Sequence, residues 1–306
     1  MKYKVIRNTE IKASSIILGT NYFGTTISKE MSFEMMDYYL ECGGNVFDTA
    51  RVYAKWLPNG DGASERTIGE YMNTRKSRNS IVISTKAAFP DGNISRLSQK
   101  EIERDVDESL MTLKTDYIDI LWLHRDDTNV GVEEIMDSLN NLVQKGKILS
   151  FGASNWTSSR IANANEYALK HGKKAFVASQ IQWSLAKSNE LEDKTLVQMN
   201  EAEYEFYRRT KMPVFAFSPQ AKGFFEKFDK NALSDKAKAR YLNNDNIETY
   251  KRLKEISIET GHSISALVVS YIALNEDFDA FPILGCSNIN QLKDSLAAIK
   301  IERKYI

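Results

Sequence analysis

The fold is decided by residues 81–124, where Ile81-Val-Ile-Ser-Thr-Lys86 and Asp119-Ile-Leu-Trp-Leu-His124 are two apolar runs that each end in a polar side chain. Between them, Ile102 and Val106 recur at the spacing of one face of an amphipathic helix. Two strands joined by a crossover helix form a parallel βαβ unit. Lys86 and His124 are therefore predicted to be neighbours at the carboxyl ends of adjacent strands.

The same unit recurs along the whole chain. Eight short apolar runs alternate with helical segments, which is typical of an α/β protein. Regular βα units of this size close into a (β/α)8 barrel, so we predict one TIM barrel domain over residues 1–306. The predicted strands are 15–19, 45–49, 81–85, 117–123, 148–153, 176–180, 213–217 and 280–284.

Two segments lie outside the eight units. Residues 2–13 precede the first strand and are predicted to form a hairpin that plugs the amino-terminal end of the barrel. Residues 219–245, which follow strand seven, are rich in charged side chains. They are predicted to form a long mobile loop over the active face.

Composition favours a small-molecule partner. Lys plus Arg and Asp plus Glu both number 41, so no net positive field attracts nucleic acid or an anionic membrane. Cys42 and Cys286 are too few and too distant for a disulfide framework or a Cys-based zinc site, and no metal is expected. The first residues contain no apolar signal core, and a cytoplasmic protein is expected. Oligomeric state is left open.

Four polar side chains are predicted to meet at the rim. Asp48 ends the run Asn45-Val-Phe-Asp48, Tyr53 follows five residues later, and Lys86 and His124 end the next two strands. Each has an ordinary structural explanation when taken alone, such as a helix cap, a solvated lysine or a packed phenol. Together at the carboxyl ends of barrel strands, they indicate chemistry rather than packing.

Carbonyl reduction explains this combination, because hydride must reach carbon while a proton reaches the developing alkoxide. Tyr53 is predicted to donate that proton, with a pKa lowered by the Lys86 ammonium. Asp48 would orient Lys86, and His124 would hydrogen-bond to the substrate oxygen. None of these groups supplies hydride, so a nicotinamide or flavin cofactor is required.

Later strand ends suit a nicotinamide. Ser154, Asn155 and Gln180 offer hydroxyl and amide groups that match a carboxamide. Phe217 offers a flat face for ring stacking, and Ser218 follows it. No Gly-x-Gly-x-x-Gly turn follows an early strand, so a Rossmann site is not indicated.

The sequence resembles the aldo-keto reductase family nearly from end to end. That resemblance implies a (β/α)8 barrel that reduces aldehydes and ketones with NADPH, and it carries the family's catalytic tetrad onto Asp48, Tyr53, Lys86 and His124. The matching pieces are Leu18-Gly-Thr20, Phe47-Asp-Thr-Ala50 with Tyr53, Gly62-Ala-Ser-Glu65, Ser84-Thr-Lys86, Leu123-His124, Gly152-Ala-Ser-Asn155, Gln180, Phe217-Ser-Pro219 and 285–292.

The resemblance also implies the cofactor contacts. Ser287 stands where many relatives place an arginine for the adenosine 2′-phosphate, and a hydroxyl cannot replace such a contact. NADPH is therefore expected over NADH with a reduced margin, unless Lys222 or Lys293 compensates. The implied contacts are Gly19, Thr20, Asp48, Ser154, Asn155, Gln180, Phe217, Ser218, Gln220, Lys222, Gly285, Ser287, Gln291 and Ser295.

Rim side chains lead to a prediction of substrate class. Flat aromatic walls combined with a cation suit a ring that carries several hydroxyls, so a sugar or cyclitol ketone is expected. Arg125 alternatively pairs with Asp126 or Asp127 and only shapes the loop. The candidate substrate contacts are Tyr22, Trp56, Arg125, Trp156 and Trp183.

Two other functions fit the same residues. One is a cofactor-holding regulatory subunit similar to the potassium-channel β-subunits, which resemble this family. The other is a Schiff-base lyase with Lys86 as the nucleophile.

Overall fold

Eight parallel strands close into a barrel in the computed structural model, which describes residues 1–92, 94–189, 193–230 and 232–305. Each strand pairs with the next, and the last pairs with the first, so the predicted TIM barrel is confirmed. The barrel strands are β3 Ile17–Gly19, β4 Val46–Asp48, β5 Val82–Ala87, β6 Ile118–Leu123, β7 Ile148–Ser154, β8 Ser179–Gln182, β9 Val214–Phe217 and β10 Ala280–Leu284.

Amphipathic helices form the outer layer. In the helix between β5 and β6, Ile102, Val106 and Leu113 are buried against the barrel, as their spacing predicts. Four short 3₁₀ turns complete the described secondary structure. The helices are α1 Lys29–Glu41, α2 Ala63–Arg75, α3 Gln99–Leu113, α4 Val132–Gln144, α5 Ser158–Lys170, α6 Glu201–Thr210, α7 Phe224–Lys227, α8 Asp235–Tyr241, α9 Asn244–Thr260, α10 Ile264–Ala273 and α11 Ile289–Leu296.

An antiparallel hairpin covers the amino-terminal end of the barrel, as expected. Its strands are β1 Tyr3–Val5 and β2 Lys12–Ser14. Ile6 and Ile11 of the hairpin are buried in one cluster with side chains from inside the barrel, including Trp122. This closed end leaves the opposite, carboxyl-terminal rim for binding.

The long connection predicted after strand seven is present, but residues 219–245 are partly helical rather than all loop. This segment contains α7 and α8, and α9 begins at Asn244. Phe224, Phe225 and Tyr241 are buried in the core cluster beside the barrel. These aromatic side chains, spread among many charged residues, give the segment enough apolar surface to fold onto the barrel.

Strand pairing places the predicted chemistry at one rim. Asp48 of β4 is opposite Ser84 of β5, and Lys86 of β5 is opposite Trp122 of β6. His124 directly follows β6 and donates its backbone N–H to the carbonyl oxygen of Ala87. Within the parts of the chain described, no helix is long and apolar enough to cross a membrane.

Candidate active site

Asp48 is the centre of a buried hydrogen-bond network. Its Oδ2 accepts hydrogen bonds from Lys86 Nζ at 2.7 Å and from the Tyr53 hydroxyl at 3.3 Å. Its Oδ1 accepts from Ser84 Oγ and from Gln180 Nε2, both at 2.9 Å. One carboxylate thus joins the amine, the phenol and the amide at the carboxyl ends of three strands.

Lys86 is held beneath the phenol. Its Nζ also donates to the carbonyl oxygen of Thr49 at 2.8 Å and lies 4.6 Å from the centre of the Tyr53 ring. Burial lowers the pKa of Lys86, and the Asp48 carboxylate opposes this effect. The Lys86–Asp48 pair is almost fully shielded from solvent, with both side chains 2% exposed.

The phenol is kept protonated in this arrangement. Loss of hydration and the Asp48 carboxylate both raise the pKa of Tyr53 well above its ordinary value. The expected lowering by Lys86 is therefore not found: the pKa rises, and the charge that opposes this rise is the Arg125 guanidinium. Tyr53 therefore retains its proton at neutral pH.

His124 is a neutral imidazole beside the phenol. Burial, the Lys86 ammonium and the Arg125 guanidinium lower its pKa well below the ordinary value. Its ring centre lies 6.2 Å from that of Tyr53 and 4.8 Å from that of Phe89. Nδ1 is buried and has no hydrogen-bond partner among the described residues, so Nε2 is the candidate donor to a substrate.

Several turns at this rim adopt a left-handed backbone that favours glycine. Ala54, Ala88, Asn155 and Ser218 all have φ between +54° and +62°. Such non-glycine strain is costly and is concentrated at functional sites. Ala54 follows Tyr53, and Ala88 precedes Phe89, so two of these turns set the direction of rim aromatics.

The predicted nicotinamide contacts lie on the far side of Asp48. Asn155 is held at the end of β7 by a bond from its backbone N–H to the carbonyl oxygen of Gln180. Asn155 Nδ2 donates to Ser154 Oγ at 3.1 Å. The serine oxygen is the acceptor in this bond, so its own hydrogen is not used in it. Phe217 ends β9 half-buried, and Ser218 begins the turn after it.

The predicted adenosine contacts lie at the outer edge of the rim. Gln220 Nε2 donates to Ser295 Oγ at 3.0 Å, which joins the turn after β9 to α11. Gln291 Oε1 accepts from the backbone N–H of Ser287 at 2.8 Å. Gly285 faces open space. Lys222 has a left-handed backbone in the 3₁₀ turn after β9.

Gly19 and Thr20 position Asp48. A Cβ at Gly19 would lie only 2.7 Å from the carbonyl oxygen of Leu284, so β3 and β10 approach too closely for a side chain. Thr20 Oγ1 donates to the carbonyl oxygen of Asp48 at 2.9 Å. Both residues therefore contact the strands that carry the site.

The four candidate substrate aromatics separate into two pairs. Tyr22 and Trp56 are 41% and 64% exposed and form an edge-on pair at the rim, with ring centres 6.4 Å apart. Trp156 is fully buried against Phe176. Trp183 is 5% exposed and packs against Tyr204, Tyr271 and Phe278 in the outer layer.

Arg125 lies next to the imidazole, but its partners differ from those expected. Its Nε donates to Thr195 Oγ1 at 2.9 Å, and its Nη2 lies 3.5 Å from the Asp193 carboxylate. Asp126 instead pairs with Arg160. The Arg125 guanidinium also lies 5.3 Å from the centre of the Phe89 ring. It therefore borders the opening of the barrel around Tyr53, His124 and Phe89, which we call the mouth.

The comparison with known families agrees with this geometry. A profile of the Aldo/keto reductase family matches residues 15–304, a range that includes all eight barrel strands. The chain belongs to the aldo-keto reductase family. Membership supports an oxidoreductase that acts on carbonyl groups.

Relatives within the aldo-keto reductases match over nearly the whole chain. Norsolorinic acid reductase stcV from Emericella nidulans is 28% identical, covering 95% of this chain and 76% of that protein. Putative aryl-alcohol dehydrogenase AAD14 from Saccharomyces cerevisiae is 30% identical, covering 95% and 80%. Norsolorinic acid reductase B from Dothistroma septosporum is 29% identical, covering 98% and 78%.

The donor set fits the dinucleotide that aldo-keto reductases generally use, NAD(P)H. Ser154, Asn155 and Gln180 bring a hydroxyl and two amides to one edge of the Asp48 network, and Phe217 adds a flat face. These are the groups that bind a carboxamide and its ring.

Phe89 was missed by the sequence analysis. It is 36% exposed and packs between the imidazole of His124 and the guanidinium of Arg125. A signal existed, because Phe89 comes three residues after Lys86, where the chain leaves the barrel. This ring is therefore a further wall of the mouth.

Proposed function

We propose that this chain is a NAD(P)H-dependent oxidoreductase that reduces an aldehyde or ketone to an alcohol, with Tyr53 as the proton donor. The proposal rests chiefly on one observation. Asp48 Oδ2 accepts hydrogen bonds from both Lys86 Nζ and the Tyr53 hydroxyl. An acid, an amine and a phenol that share one oxygen atom form a proton-transfer chain rather than a packing contact.

The roles of the four side chains follow from their charge states. Tyr53 holds its proton until hydride addition turns the carbonyl oxygen into a strong base. His124, as a neutral imidazole, donates from Nε2 to that oxygen and orients the carbonyl. Lys86 keeps positive charge beneath the developing charge, and Asp48 fixes the position of Lys86.

A dinucleotide would be held by Ser154, Asn155 and Gln180 at its carboxamide and by Phe217 at its ring. When bound, it supplies the hydride. The outer contacts would be Ser218, Gln220, Lys222, Gly285, Ser287, Gln291 and Ser295. We expect NADPH to be preferred over NADH by a small margin, because Ser287 cannot form a charged contact to the 2′-phosphate.

Two substrate classes remain, and the mouth favours a flat aryl carbonyl. Tyr22, Trp56 and Phe89 are exposed aromatic rings at the rim, and the names of three relatives specify norsolorinic acid or aryl alcohols. A sugar or cyclitol ketone is the second class. Arg125 beside the carbonyl site supports it, whereas the outer-layer packing of Trp156 and Trp183 removes part of that support.

Nicotinamide absorbance tests both the reductase activity and the substrate class. The panel contains aryl aldehydes, aliphatic aldehydes, keto sugars and cyclitol ketones. Turnover with NADPH, highest for aryl carbonyls, is the expected result. Tight dinucleotide binding without turnover of any carbonyl would favour the regulatory-subunit alternative. Borohydride trapping of a substrate adduct on Lys86 would favour the lyase.

A further inference from the structure

A polar cavity of about 260 Å³ lies beside the mouth, between the turns that follow β4 and β5 and above α3. Arg51 crosses it, donating to Asp61 at 2.9 Å and lying 3.4 Å from the Glu108 carboxylate. Arg96 pairs with Asp105 on another wall. Opposite charges are thus matched within the cavity, which argues against a site for an anionic or cationic ligand.

Lys86 links this cavity to the catalytic network. It lines the cavity, and its Nζ also binds Asp48. The outer wall includes Arg104, whose side chain is 56% exposed. One boundary of the cavity therefore reaches solvent, while another is formed by the buried residue Lys86. A polar space of this size accommodates several water molecules.

Glu65 is a second buried carboxyl group that acts on Lys86, and one of its oxygen atoms has no partner among the described residues. Glu65 is buried, and its Oε1 accepts from Thr85 Oγ1 at 2.6 Å, while Oε2 has no partner among the described residues. Its charge raises the pKa of Lys86, in the same direction as the Asp48 carboxylate. Two buried carboxyl groups, Asp48 and Glu65, therefore favour the charged form of Lys86.

We propose that this cavity carries protons from solvent to Lys86, and through it to Tyr53, while a bound dinucleotide and substrate fill the mouth. The inference rests on the proposed reductase function, since only that reaction consumes the Tyr53 proton. With ligands in the mouth, the phenolate needs another source of protons, and the cavity provides one.

The proton balance is complete. The O–H bond of Tyr53 breaks as the O–H bond of the product alcohol forms. The phenolate then takes a proton from the Lys86 ammonium, and the resulting amine takes a proton from a cavity water. Solvent replaces that proton, so each turnover consumes one hydride and one solvent proton.

Accessibility of Lys86 tests the route without needing turnover. Cyanate carbamylates free amines and is small enough for such a cavity, and peptide mass spectrometry measures modification at Lys86. In the enzyme saturated with NADP⁺, we expect Lys86 to remain reactive. Glu108→Trp should slow its carbamylation by about tenfold, because the reagent would then require a local opening. Glu108→Gln, which keeps the shape, should not.

Arg104→Trp is a second variant that fills the cavity, from an exposed position on α3. It keeps the test valid if Glu108→Trp fails to fold. Both tryptophan variants should also raise the solvent deuterium isotope effect on kcat. Protection of Lys86 by NADP⁺ in the wild-type enzyme would overturn the proposal, as would equal carbamylation in all variants. Absence of turnover with every carbonyl would contradict the reductase proposal alone. Carbamylation would still measure whether Lys86 is accessible through the cavity.

Discussion

Two ion pairs flank β5 at opposite ends of the barrel: one joins the 3₁₀ turn before β5 to β6 and is largely buried, and the other joins β5 to β4 and is fully buried. At the amino-terminal end, Arg78 pairs with Asp119 at 2.8 Å, and at the carboxyl-terminal end Lys86 pairs with Asp48 at 2.7 Å. Arg78 also donates to Thr115 Oγ1 and to the carbonyl oxygens of Ile81 and Tyr117. Asp119 accepts a further bond from the backbone N–H of Ile83.

The two ion pairs differ in the other hydrogen bonds that their side chains form. All the further hydrogen bonds of the Arg78–Asp119 pair involve backbone groups or one threonine, and its guanidinium stacks on Tyr117 at 3.9 Å. Asp48 instead binds the Tyr53 hydroxyl, which opens onto the mouth. A pair tied to the backbone is architectural, whereas a pair tied to a titratable side chain is available for chemistry.

Removal of the hydroxyl at the carboxyl-terminal pair should have the largest effect. We expect Tyr53→Phe to lower kcat by about 10²–10⁴-fold, because the variant loses its general acid. Dinucleotide affinity should stay within a few-fold of the wild type, since the hydroxyl does not serve cofactor binding. Steady-state kinetics and fluorescence titration measure the two quantities.

Tyr117→Phe is the matched control at the other end, because it removes a phenol hydroxyl beside the architectural pair. It should leave kcat unchanged. Retention of most activity in Tyr53→Phe would show that another group supplies the proton.

Loss of the amino-terminal cation should reduce stability rather than activity. We expect Arg78→Met to lower the free energy of unfolding by about 3–5 kcal/mol, because the Asp119 carboxylate is left buried without its partner. Urea unfolding measures the loss, and kcat of the folded fraction should be unchanged. A large fall in kcat at unaltered stability would contradict the contrast between the two pairs.

The same variant has a pH signature. Burial already raises the pKa of Asp119, and removal of Arg78 raises it further. A carboxyl with a raised pKa in the folded state favours folding in its protonated form. The stability deficit should therefore be largest at neutral pH and shrink as the pH falls through the raised pKa. In Arg78→Met with Asp119→Asn, the deficit should not change over that pH range.

Much of this arrangement was predictable from the chain. The eight strands are apolar runs bounded by turns, and carboxyl ends of parallel strands share one face, so Asp48, Lys86 and His124 were placed together correctly. Strand β8 was predicted three residues early. Phe176 and Val177 are buried, and Val177 donates its backbone N–H to the carbonyl oxygen of Phe151, but the strand itself spans only Ser179–Gln182.

Side-chain direction after a strand was not predictable. Trp156 follows Asn155, whose φ of +59° redirects the chain, and its indole then packs in the outer layer. The pKa of Tyr53 was expected to fall, yet burial reverses the direction. Both outcomes depend on tertiary packing, which a pattern of residue types does not contain.

The contrast extends to the outer rim, where Ser287 is the residue that the family resemblance aligns with the 2′-phosphate contact, and its hydroxyl carries no charge. We expect Ser287→Arg to tighten NADPH binding by about 1–3 kcal/mol, through a charge-assisted contact to the 2′-phosphate. NADH lacks that phosphate and should bind as before. Fluorescence titration with both dinucleotides measures the difference, with Ser287→Gln as an uncharged control of similar length. Equal tightening of both would place the phosphate elsewhere.

Arg125 is the intermediate case between the two pairs, and its variant should have the smallest effect. Like Arg78 it has polar partners, since Nε binds Thr195 and Nη1 donates to the carbonyl oxygen of His124 at 2.8 Å. Unlike Arg78, its carboxylate partner Asp193 is 47% exposed and 3.5 Å away, and its charge acts on Tyr53 and His124. Burial lowers the pKa of Arg125 without neutralising it.

If Arg125 contacts polar substrates, Arg125→Ala should raise KM for keto sugars or cyclitol ketones by about tenfold, the loss of roughly one charged hydrogen bond. KM for benzaldehyde should change little, because an unsubstituted ring relies on Tyr22, Trp56 and Phe89. Thr195→Val is the matched control, since it removes one tether of the guanidinium while keeping its charge. Equal shifts in KM for both substrates, together with lower stability, would make Arg125 architectural like Arg78 and leave the aryl carbonyl as the favoured substrate.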